Sequence, residues 1–395
     1  PKERLKLFFV TLFNKLFPKN DSYFFIESYL SLNTNFKLQI ILGQFPKLWI
    51  RQAEKFIKPK LEKRQWSLTK QKTKKITFEN VIRDLIPLHI PTSYLEGYND
   101  LKQSALQCGW PKRPKSIFTS SAYNSSDFFK IWTAEKIELG AKLFIGQHGG
   151  HIGMTPFAFY EKHQIDIADK WLSWGWSDPS IPKITPVGNF KNYGRKVQYD
   201  PDGTALMVEM TLSRYSDQMT TFPISSQWLD YLEDQKCFLK TLPYELRKKV
   251  LVRLFPNDYG WDQECRWKDF MPELNLEPGN KNIKKLIKKS RLFIATYNAT
   301  SYLETLNWNI PTIIFWNPEH WELKKEVKPY FRLLSSVGIF HETPKSAAQQ
   351  MINVWDDIGS WWYSEETQNA RKKFCRQFSY DNYNLIEDLK KIFVS

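Results

Sequence analysis

The sequence is poor in the features that define several protein classes. Its 395 residues include only four cysteines, Cys108, Cys237, Cys265 and Cys375, which lie far apart and match neither a metal-ligand spacing nor a disulfide framework. No stretch reaches the roughly 20 apolar residues that span a bilayer, and the lysine-interrupted start lacks the layout of a signal peptide. These absences argue against a disulfide-stapled secreted domain and against a membrane span. We therefore expect a protein of the reducing cytoplasm.

Acidic residues are also in deficit. There are 57 lysines and arginines against 42 aspartates and glutamates, which gives a net charge of +15 and a pI near 9.4. Such an excess indicates an anionic partner, either nucleic acid, a membrane surface or a phosphorylated substrate. Because no zinc-finger, RNP or helix-turn-helix signature is present, nucleic acid is not expected.

The basic residues concentrate near the beginning of the chain. Residues 2–19 mix leucines and phenylalanines with lysines and an arginine, a pattern that favours a basic amphipathic helix on an anionic membrane, and a second basic run covers residues 55–75. We expect a protein that is soluble or is attached peripherally at the inner face of the cell membrane. The alternative is a helix packed on its own domain with solvated lysines.

What the sequence does contain is typical of a globular enzyme. Hydrophobic residues make up 42% and charged residues 25%, and a chain of this length usually forms two domains. Aromatic residues are unusually frequent at 16%, including 16 tryptophans. Such residues build cores and domain interfaces, and beside polar groups they also line sugar sites.

Apolar strand patterns alternate with helical patterns along the chain. The predicted strands are 116–121, 142–147, 184–187, 205–212, 250–255, 292–295 and 312–315, and the predicted helices are 127–139, 227–239, 281–289 and 301–307. A polar link at 193–203 predicts a boundary between domains 1–200 and 201–395, the first facing the acceptor and the second binding the donor. This alternation predicts an α/β protein with two doubly wound Rossmann-like domains that face a cleft.

Residues 291–316 predict strand, turn, helix and strand in direct succession. After the strand come the small polar residues Asn298, Thr300 and Ser301, and we expect Thr300 or Ser301 to cap the helix. A phosphate binds well at such a helix start, and Glu304 one turn later would face the ribose hydroxyls of a nucleotide. The alternative is an ordinary βαβ unit whose caps serve only the helix.

The sequence GQHGGHIG follows the strand 142–147. Gly149 and Gly150 let backbone N–H groups approach a ligand, and His148 and His151 can donate to an oxyanion or act as acid and base. No metal is expected, because only His163 is near as a third ligand. Structural glycines with surface histidines are the alternative.

Further candidates follow other strands. Asp127 is either the N-cap of helix 127–139 or an acid for glycosyl or phosphoryl transfer. Arg214 and Arg253 are placed for bidentate contacts to carboxylate or phosphate, with surface salt bridges as the alternative. Four charges on a predicted helix before residue 171 are expected to be solvated or N-terminal helix charges and not catalysts, and they are Glu161, His163, Asp166 and Asp169.

Taken in order, six segments resemble a known family. They are GQHGGHIG, ADKWLSWGW, PVGNF, LSRYS, VRLFPNDYGW and TYNATSYLETLNWNIPTIIFWNP. The family comprises transferases encoded in O-antigen and surface-polysaccharide regions, and it is similar to GT-B glycosyltransferases, including bacterial β-Kdo transferases that use CMP-Kdo. The resemblance covers the chain from about Phe24 onward, and since the chain opens on Pro1 without an initiator Met, we expect it to begin partway into the family's N-terminal region.

The resemblance implies a function. Thr300, Ser301 and Glu304 would hold donor phosphate and ribose, and the QHGG turn would face the reaction centre. The donor would be CMP-β-Kdo, transferred with retention to a saccharide or lipid-linked oligosaccharide, with no metal or other cofactor. Asp127 is then the candidate nucleophile, with His148 or His151 assisting. Two alternatives remain. The enzyme could use another activated sugar or a polyol phosphate, or the protein could be a non-catalytic one that binds nucleotide sugars or polysaccharides.

Overall fold

The computed structural model describes residues 22–52, 57–68, 77–158, 160–215 and 222–395. The chain divides into two compact units, Pro1–Gly146 (unit 1) and Gln147–Ser395 (unit 2). Within the described ranges, no helix is both long enough and apolar enough to cross a membrane. The predicted amphipathic segment 2–19 and parts of the basic run 55–75 lie outside the described residues.

Unit 1 contains three parallel strands that are hydrogen-bonded in the order β1-β2-β3. The strands are β1 Tyr23–Phe25, β2 Ser116–Thr119 and β3 Lys142–Gly146; the helices are α1 Leu32–Ile41, α2 Phe78–His89, α3 Tyr98–Gln107, α4 Ala122–Ser125 and α5 Asp127–Glu138, with 3₁₀ turns at Leu61–Arg64 and Thr92–Tyr94. An aromatic core forms around the fully buried Phe24, whose ring centroid lies 4.6 Å from that of Trp132 and 5.1 Å from that of Trp110. Many of the aromatic residues of unit 1 therefore serve packing.

Unit 2 contains the remaining strands and most of the helices. The strands are β4 Lys170–Ser173, β5 Ile184–Pro186, β6 Thr204–Val208, β7 Val250–Arg253, β8 Asn275–Glu277, β9 Ser290–Ala295, β10 Thr312–Phe315 and β11 Phe340–His341. The helices are α6 Glu161–Ile167, α7 Gln227–Thr241, α8 Tyr244–Arg247, α9 Gln263–Phe270, α10 Ile283–Ile287, α11 Thr300–Asn307, α12 Lys328–Ser336, α13 Pro344–Val354, α14 Ile358–Trp362, α15 Glu365–Phe378 and α16 Leu385–Val394.

Six strands of unit 2 form one parallel sheet in the order β11-β10-β9-β6-β7-β8. Numbered from β6, this is the Rossmann order 3-2-1-4-5-6, in which the chain reverses direction across the sheet between β6 and β9. The central strands are apolar and almost entirely buried, as a parallel sheet covered on both faces requires. Ligands of such sheets bind at the carboxyl ends of the two strands that flank this switch point.

Helix α15, the second-last helix of the chain, joins two parts of unit 2. Nη1 of Arg371 donates to the carbonyl oxygen of Leu306 in α11 at 2.7 Å. Beyond α15, the backbone N–H of Tyr380 donates to the carbonyl oxygen of Trp174 after β4 at 2.8 Å. Gly175 lies so close to this crossing that a Cβ would fall 2.6 Å from the carbonyl oxygen of Arg376. Helix α15 therefore fixes α11 relative to the chain that follows β4.

The predicted α/β class with two parallel, Rossmann-like sheets is confirmed. Each predicted strand and helix is present, although the strand predicted at 205–212 ends at Val208 and the helix predicted at 281–289 covers only Ile283–Ile287. The short strands β1, β4, β8 and β11 were not predicted. The boundary at residue 200 falls in the chain between β5 and β6; that boundary and the cleft between the domains stay predictions.

Candidate functional site

The turn that follows β3 is held by the buried side-chain amide of Gln147. Its Nε2 donates to the carbonyl oxygens of Gly149 at 2.9 Å and Ile152 at 3.3 Å. Its Oε1 accepts from the backbone N–H of Trp174 at 2.9 Å and from the indole N–H of Trp176 at 3.0 Å. Because both donors and both lone pairs of the amide are used, the turn has a defined position against the chain after β4. The sequence interpretation named the glycines and histidines of this turn but missed the glutamine.

The two histidines of the turn lie against aromatic rings. The ring centroid of His148 is 5.4 Å from that of Tyr160, and His151 meets Phe222 edge-on at 4.9 Å. Burial, and to a smaller extent the neighbouring His148, lower the pKa of His151 to about 4. His151 is therefore a neutral imidazole at pH 7, which can accept a proton but carries no positive charge. In the described part of the chain, no three histidine, cysteine, aspartate or glutamate side chains converge as a metal site.

The same turn contacts the beginning of α11. The backbone N–H of Gly150 donates to Oγ1 of Thr300 at 3.2 Å. A Cβ at position 150 would lie 2.4 Å from the carbonyl oxygen of Ala299 and 2.8 Å from Cδ1 of Leu303, which leaves no room for a side chain. Two segments that the sequence predicts separately as ligand sites thus lie side by side in unit 2.

Neither Thr300 nor Ser301 is the predicted N-cap. Helix α11 begins at Thr300, Ala299 occupies the N-cap position, and no side chain caps the first turn. The prediction is wrong because the Thr300 hydroxyl accepts from Gly150, while Oγ of Ser301 donates to the Tyr297 hydroxyl at 3.4 Å. The first-turn N–H groups are thus without a side-chain acceptor from the cap, and such groups attract anions.

Asn298 lies just before this helix start and is 1% exposed. Its Oδ1 accepts from the Tyr302 hydroxyl at 2.9 Å, whereas its Nδ2 has no hydrogen-bond partner within the described residues. An amide donor that is buried without a partner is costly and rare in folded proteins. It is therefore a candidate contact for a ligand oxygen.

Glu304 follows Thr300 by one helical turn, as predicted, and is 5% exposed. Its Oε1 lies 3.1 Å from Nζ of Lys191, but the geometry is that of an ion pair and not of a hydrogen bond. The carboxylate therefore keeps its capacity to accept from hydroxyl groups. Lys191, which the sequence interpretation did not name, is the counter-ion of this site.

The two predicted arginines differ in their availability. Nη1 of Arg214, after β6, donates to the carbonyl oxygen of Gly260 at 2.9 Å, and the side chain is otherwise exposed. Nη2 of Arg253, at the end of β7, donates to the carbonyl oxygen of Gly279 at 3.0 Å, and its Nε lies 3.5 Å from Oε2 of the buried Glu277. Arg214 therefore keeps more free donors for an anionic ligand than Arg253 does.

Glu209 is a buried acid that the sequence interpretation missed. It follows β6 directly at the switch point and is 1% exposed. The indole N–H of Trp267 donates to its Oε2 at 3.1 Å, and its Oε1 has no partner within the described residues. Burial raises the pKa of Glu209 to about 8, so the group is mostly protonated at pH 7. The sequence does contain a signal for this acid, because Glu209 is the one charged residue in the apolar run 205–212. That run predicts only a strand.

Glu161 is the first residue of α6, as the prediction of an N-terminal helix charge requires, but it is not solvated. Its Oε2 accepts from the backbone N–H of Gly153 at 2.8 Å, and its Oε1 accepts from Nζ of Lys324 at 2.9 Å. Gly153 has a φ of +83°, and a Cβ there would lie 2.2 Å from the Trp176 ring. The Glu161 carboxylate therefore fixes the chain two residues beyond the turn at 147–151, which we call the QHGGH turn.

In unit 1, Asp127 is the first residue of α5 but not its N-cap. The cap is Ser126, whose Oγ accepts from the backbone N–H of Phe129 at 3.1 Å, so the predicted capping role is wrong. Oδ1 of Asp127 accepts from the Tyr94 hydroxyl and from Nζ of Lys130, both at 3.0 Å. Burial acts to raise the pKa of Asp127, but these hydrogen bonds together outweigh burial and lower it. The carboxylate is therefore ionised at neutral pH, as a nucleophile must be.

A family model for LIC12162 family transferases matches residues 1–393. The chain belongs to this family. No curated protein sequence matches this LIC12162 family transferase.

Several solved structures are similar to this LIC12162 family transferase at low sequence identity. The pneumococcal O-GlcNAc transferase GtfA, in complex with UDP and GlcNAc, is 11% identical over 71% of this chain and 56% of its own, with a TM-score of 0.43. The wall teichoic acid polymerase TagF is 10% identical over 72% of each chain, with a TM-score of 0.35. WaaG, a glycosyltransferase involved in lipopolysaccharide biosynthesis, is 11% identical over 94% of this chain and 99% of its own, with a TM-score of 0.32. Similarity at this level assigns no role to any residue.

Proposed function

We propose that this transferase is a glycosyltransferase of bacterial surface polysaccharide biosynthesis that uses a nucleotide-activated sugar. The observation that carries the proposal is the contact of Gly150 with Thr300 at the switch point of the six-stranded sheet. There a glycine-rich turn meets a helix start without a side-chain cap, which supplies backbone donors for phosphate. The unpartnered Nδ2 of Asn298 adds a side-chain donor, and the Glu304 carboxylate supplies acceptors for ribose hydroxyls.

We further propose that the donor is CMP-β-Kdo and that the acceptor is a saccharide or lipid-linked oligosaccharide. This step rests on the sequence resemblance to β-Kdo transferases. Kdo carries a carboxylate at its anomeric carbon, and the exposed guanidinium of Arg214 is a suitable counter-ion for it. Arg253 would contribute only if it released part of its contact with Gly279.

For the chemistry, we propose transfer with retention through Asp127. Its carboxylate would form a bond to the anomeric carbon of Kdo while the bond to the phosphate breaks and CMP leaves. An acceptor hydroxyl would then displace the carboxylate and restore the original configuration. His148 or His151 would stabilise charge or take the proton of that hydroxyl.

Nucleotide binding is tested by thermal shift with CMP, UDP, GDP and dTDP. Ligand that binds only the folded protein raises its melting temperature, and we expect CMP to raise that of the wild type most. Ser301→Asp should abolish this rise, because its charge repels phosphate at the start of α11. Ser335→Asp makes the same change at an exposed position of α12 and should leave the rise intact. An equal rise in folded Ser301→Asp would contradict the site.

The nucleophile is tested by intact mass spectrometry after incubation with CMP-Kdo. We expect a Kdo-sized mass increment in the wild type and in Asp100→Asn, an exposed control, but none in Asp127→Asn. If Asp127→Asn forms product as fast as wild type, then Asp127 is not the nucleophile. Binding of CMP would still stand in that case.

A further inference from the structure

Helix α2 leaves its apolar side uncovered. Of its twelve residues only Pro87 is buried. Six apolar side chains, which we call the apolar stripe, lie within one face at 100° per residue, and they are Phe78 (82% exposed), Val81 (41%), Ile82 (41%), Leu85 (40%), Ile86 (38%) and Leu88 (55%). A helix of this length without packing is marginal in water, so the stripe requires a partner.

The opposite face of α2 is polar. Glu79 and Arg83 form an ion pair at 2.6 Å across one helical turn, and Asn80 and Asp84 lie on the same side. A helix with one apolar and one charged face, in which packing is confined to the buried Pro87 near its end, is typical of segments lying in the plane of a membrane interface.

A second exposed group continues this surface. The 3₁₀ turn Leu61–Arg64 is attached to the end of α2, because Nη1 of Arg64 donates to the carbonyl oxygen of Leu88 at 2.7 Å. Around the turn, Leu61 is 73% exposed and Trp66 is 38% exposed. Lys60 and Lys63 are exposed beside them. Aliphatic, indole and ammonium groups thus occupy the same part of unit 1, a mixture that suits a lipid head-group region.

Charge selects the partner. Among the described residues 57–68, Lys58, Lys60 and Lys63 are exposed beside a single exposed acid, Glu62, and the whole chain carries a net charge of +15. A second copy of the chain would bring the same positive charge to this surface and would be repelled. An anionic bilayer would be attracted, by about 1 kcal/mol for each lysine or arginine near the surface.

We propose that the apolar stripe docks on an anionic lipid bilayer. Helix α2 would lie in the plane of the interface, with the stripe at the acyl boundary and the exposed Lys58, Lys60 and Lys63 over the head groups. This inference goes beyond the proposed function and stands or falls independently of it.

The test is sedimentation of the full chain with vesicles of phosphatidylglycerol and phosphatidylcholine, compared with phosphatidylcholine alone. We expect binding to the anionic vesicles that weakens as salt rises. Ile82→Asp should lower the partition coefficient roughly tenfold more than Asn80→Asp does, since both variants add one negative charge but only Ile82→Asp removes an apolar side chain that the bilayer would bury. The melting temperatures of both variants show that they remain folded.

Four outcomes would overturn the proposal. The wild type fails to bind anionic vesicles, or both aspartate variants lose binding equally. The third outcome is vesicle binding that survives Ile82→Asp but is lost in Leu12→Asp. That result would assign the membrane anchor to residues 2–19. The fourth outcome is a chain that does not bind lipid but forms a dimer, and a dimer that dissociates in Ile82→Asp. That result would assign the stripe to a contact with a second copy.

Discussion

Helix α2 and the carboxyl edge of the six-stranded sheet depart from the usual pattern of burial in opposite directions. In α2, apolar side chains are exposed. At the sheet edge polar side chains are buried, and five of them, Glu209, Thr296, Asn298, Ser301 and Glu304, are at most 8% exposed. A side chain whose chemistry does not match its surroundings costs stability unless a partner completes it. The comparison therefore teaches that α2 lacks an apolar partner, and that at the sheet edge Glu209, Asn298 and Glu304 each keep a polar atom with no hydrogen-bond partner within the described residues.

The largest expected difference comes from making the same change in both helices. Leu303→Ala in α11, where the side chain is fully buried, should lower the free energy of unfolding by about 2–5 kcal/mol. Leu85→Ala in the apolar stripe should change it by less than about 0.5 kcal/mol. Urea denaturation of both variants measures the contrast. Comparable losses would mean that the stripe is packed in solution, and the comparison would fail.

Glu209→Gln should change how stability depends on pH. The pKa of Glu209 is about 8 in the folded protein against an ordinary value of 4.5, so the folded protein holds a proton that the unfolded chain releases. Stability of the wild type therefore falls as pH rises from about 4.5 to about 8. Glutamine does not titrate, and the variant should gain about 3 kcal/mol relative to wild type between pH 4.5 and pH 7.

Denaturation curves of Glu209→Gln across this pH range provide the measurement. The exposed Glu245→Gln serves as control and should follow the wild type. A constant difference between Glu209→Gln and wild type would show that Glu209 is not protonated in the folded state.

Gly150→Ala should separate the QHGGH turn from α11. The added Cβ would overlap the carbonyl oxygen of Ala299, and the resulting shift should cost about 1–3 kcal/mol of unfolding free energy. Gly109→Ala is the matched control, because a Cβ there meets nothing within 4 Å. We also expect Gly150→Ala to lose the thermal shift caused by CMP. A variant as stable as Gly109→Ala that still responds to CMP would argue against a close contact.

The smallest expected effect is that of Tyr302→Phe. It removes the hydroxyl that donates to Asn298 and leaves that buried amide without its remaining partner, at a cost of about 1 kcal/mol. Tyr383→Phe, at a side chain that is 82% exposed, should cost nothing measurable. Thermal melts of the two variants make the comparison. Equal melting temperatures would indicate that Asn298 already has another partner.

Much of the fold could be predicted because parallel strands are continuous apolar runs. The run at 312–315 matches β10 residue for residue, and the helices predicted at 127–139 and 227–239 begin at their predicted residues. Strands β8 and β11 have three residues and two residues, too short for any period to appear. Strand β4 is also short. It covers only Lys170–Ser173, at the start of a tryptophan-rich segment, and its four residues do not form a continuous apolar run.

The candidate site was predictable in its parts but not in its assembly. The glycine-rich turn and the segment 298–304 each have local signatures, yet the bond between Gly150 and Thr300 joins residues that are 150 positions apart. A single sequence contains no record of such a contact. The same contact explains why the cap prediction failed, since a hydroxyl used by a distant backbone N–H is not available to its own helix.

The four hydrogen bonds of Gln147 have a consequence for the thermodynamics of binding. A flexible loop that closes on a ligand loses conformational entropy at that moment, at about 1–2 kcal/mol for each backbone residue that becomes ordered. In this chain the QHGGH turn is already ordered by folding, through an amide that is itself fully buried. A ligand at the turn therefore meets backbone donors that are already oriented, and its affinity is not reduced by the cost of arranging them.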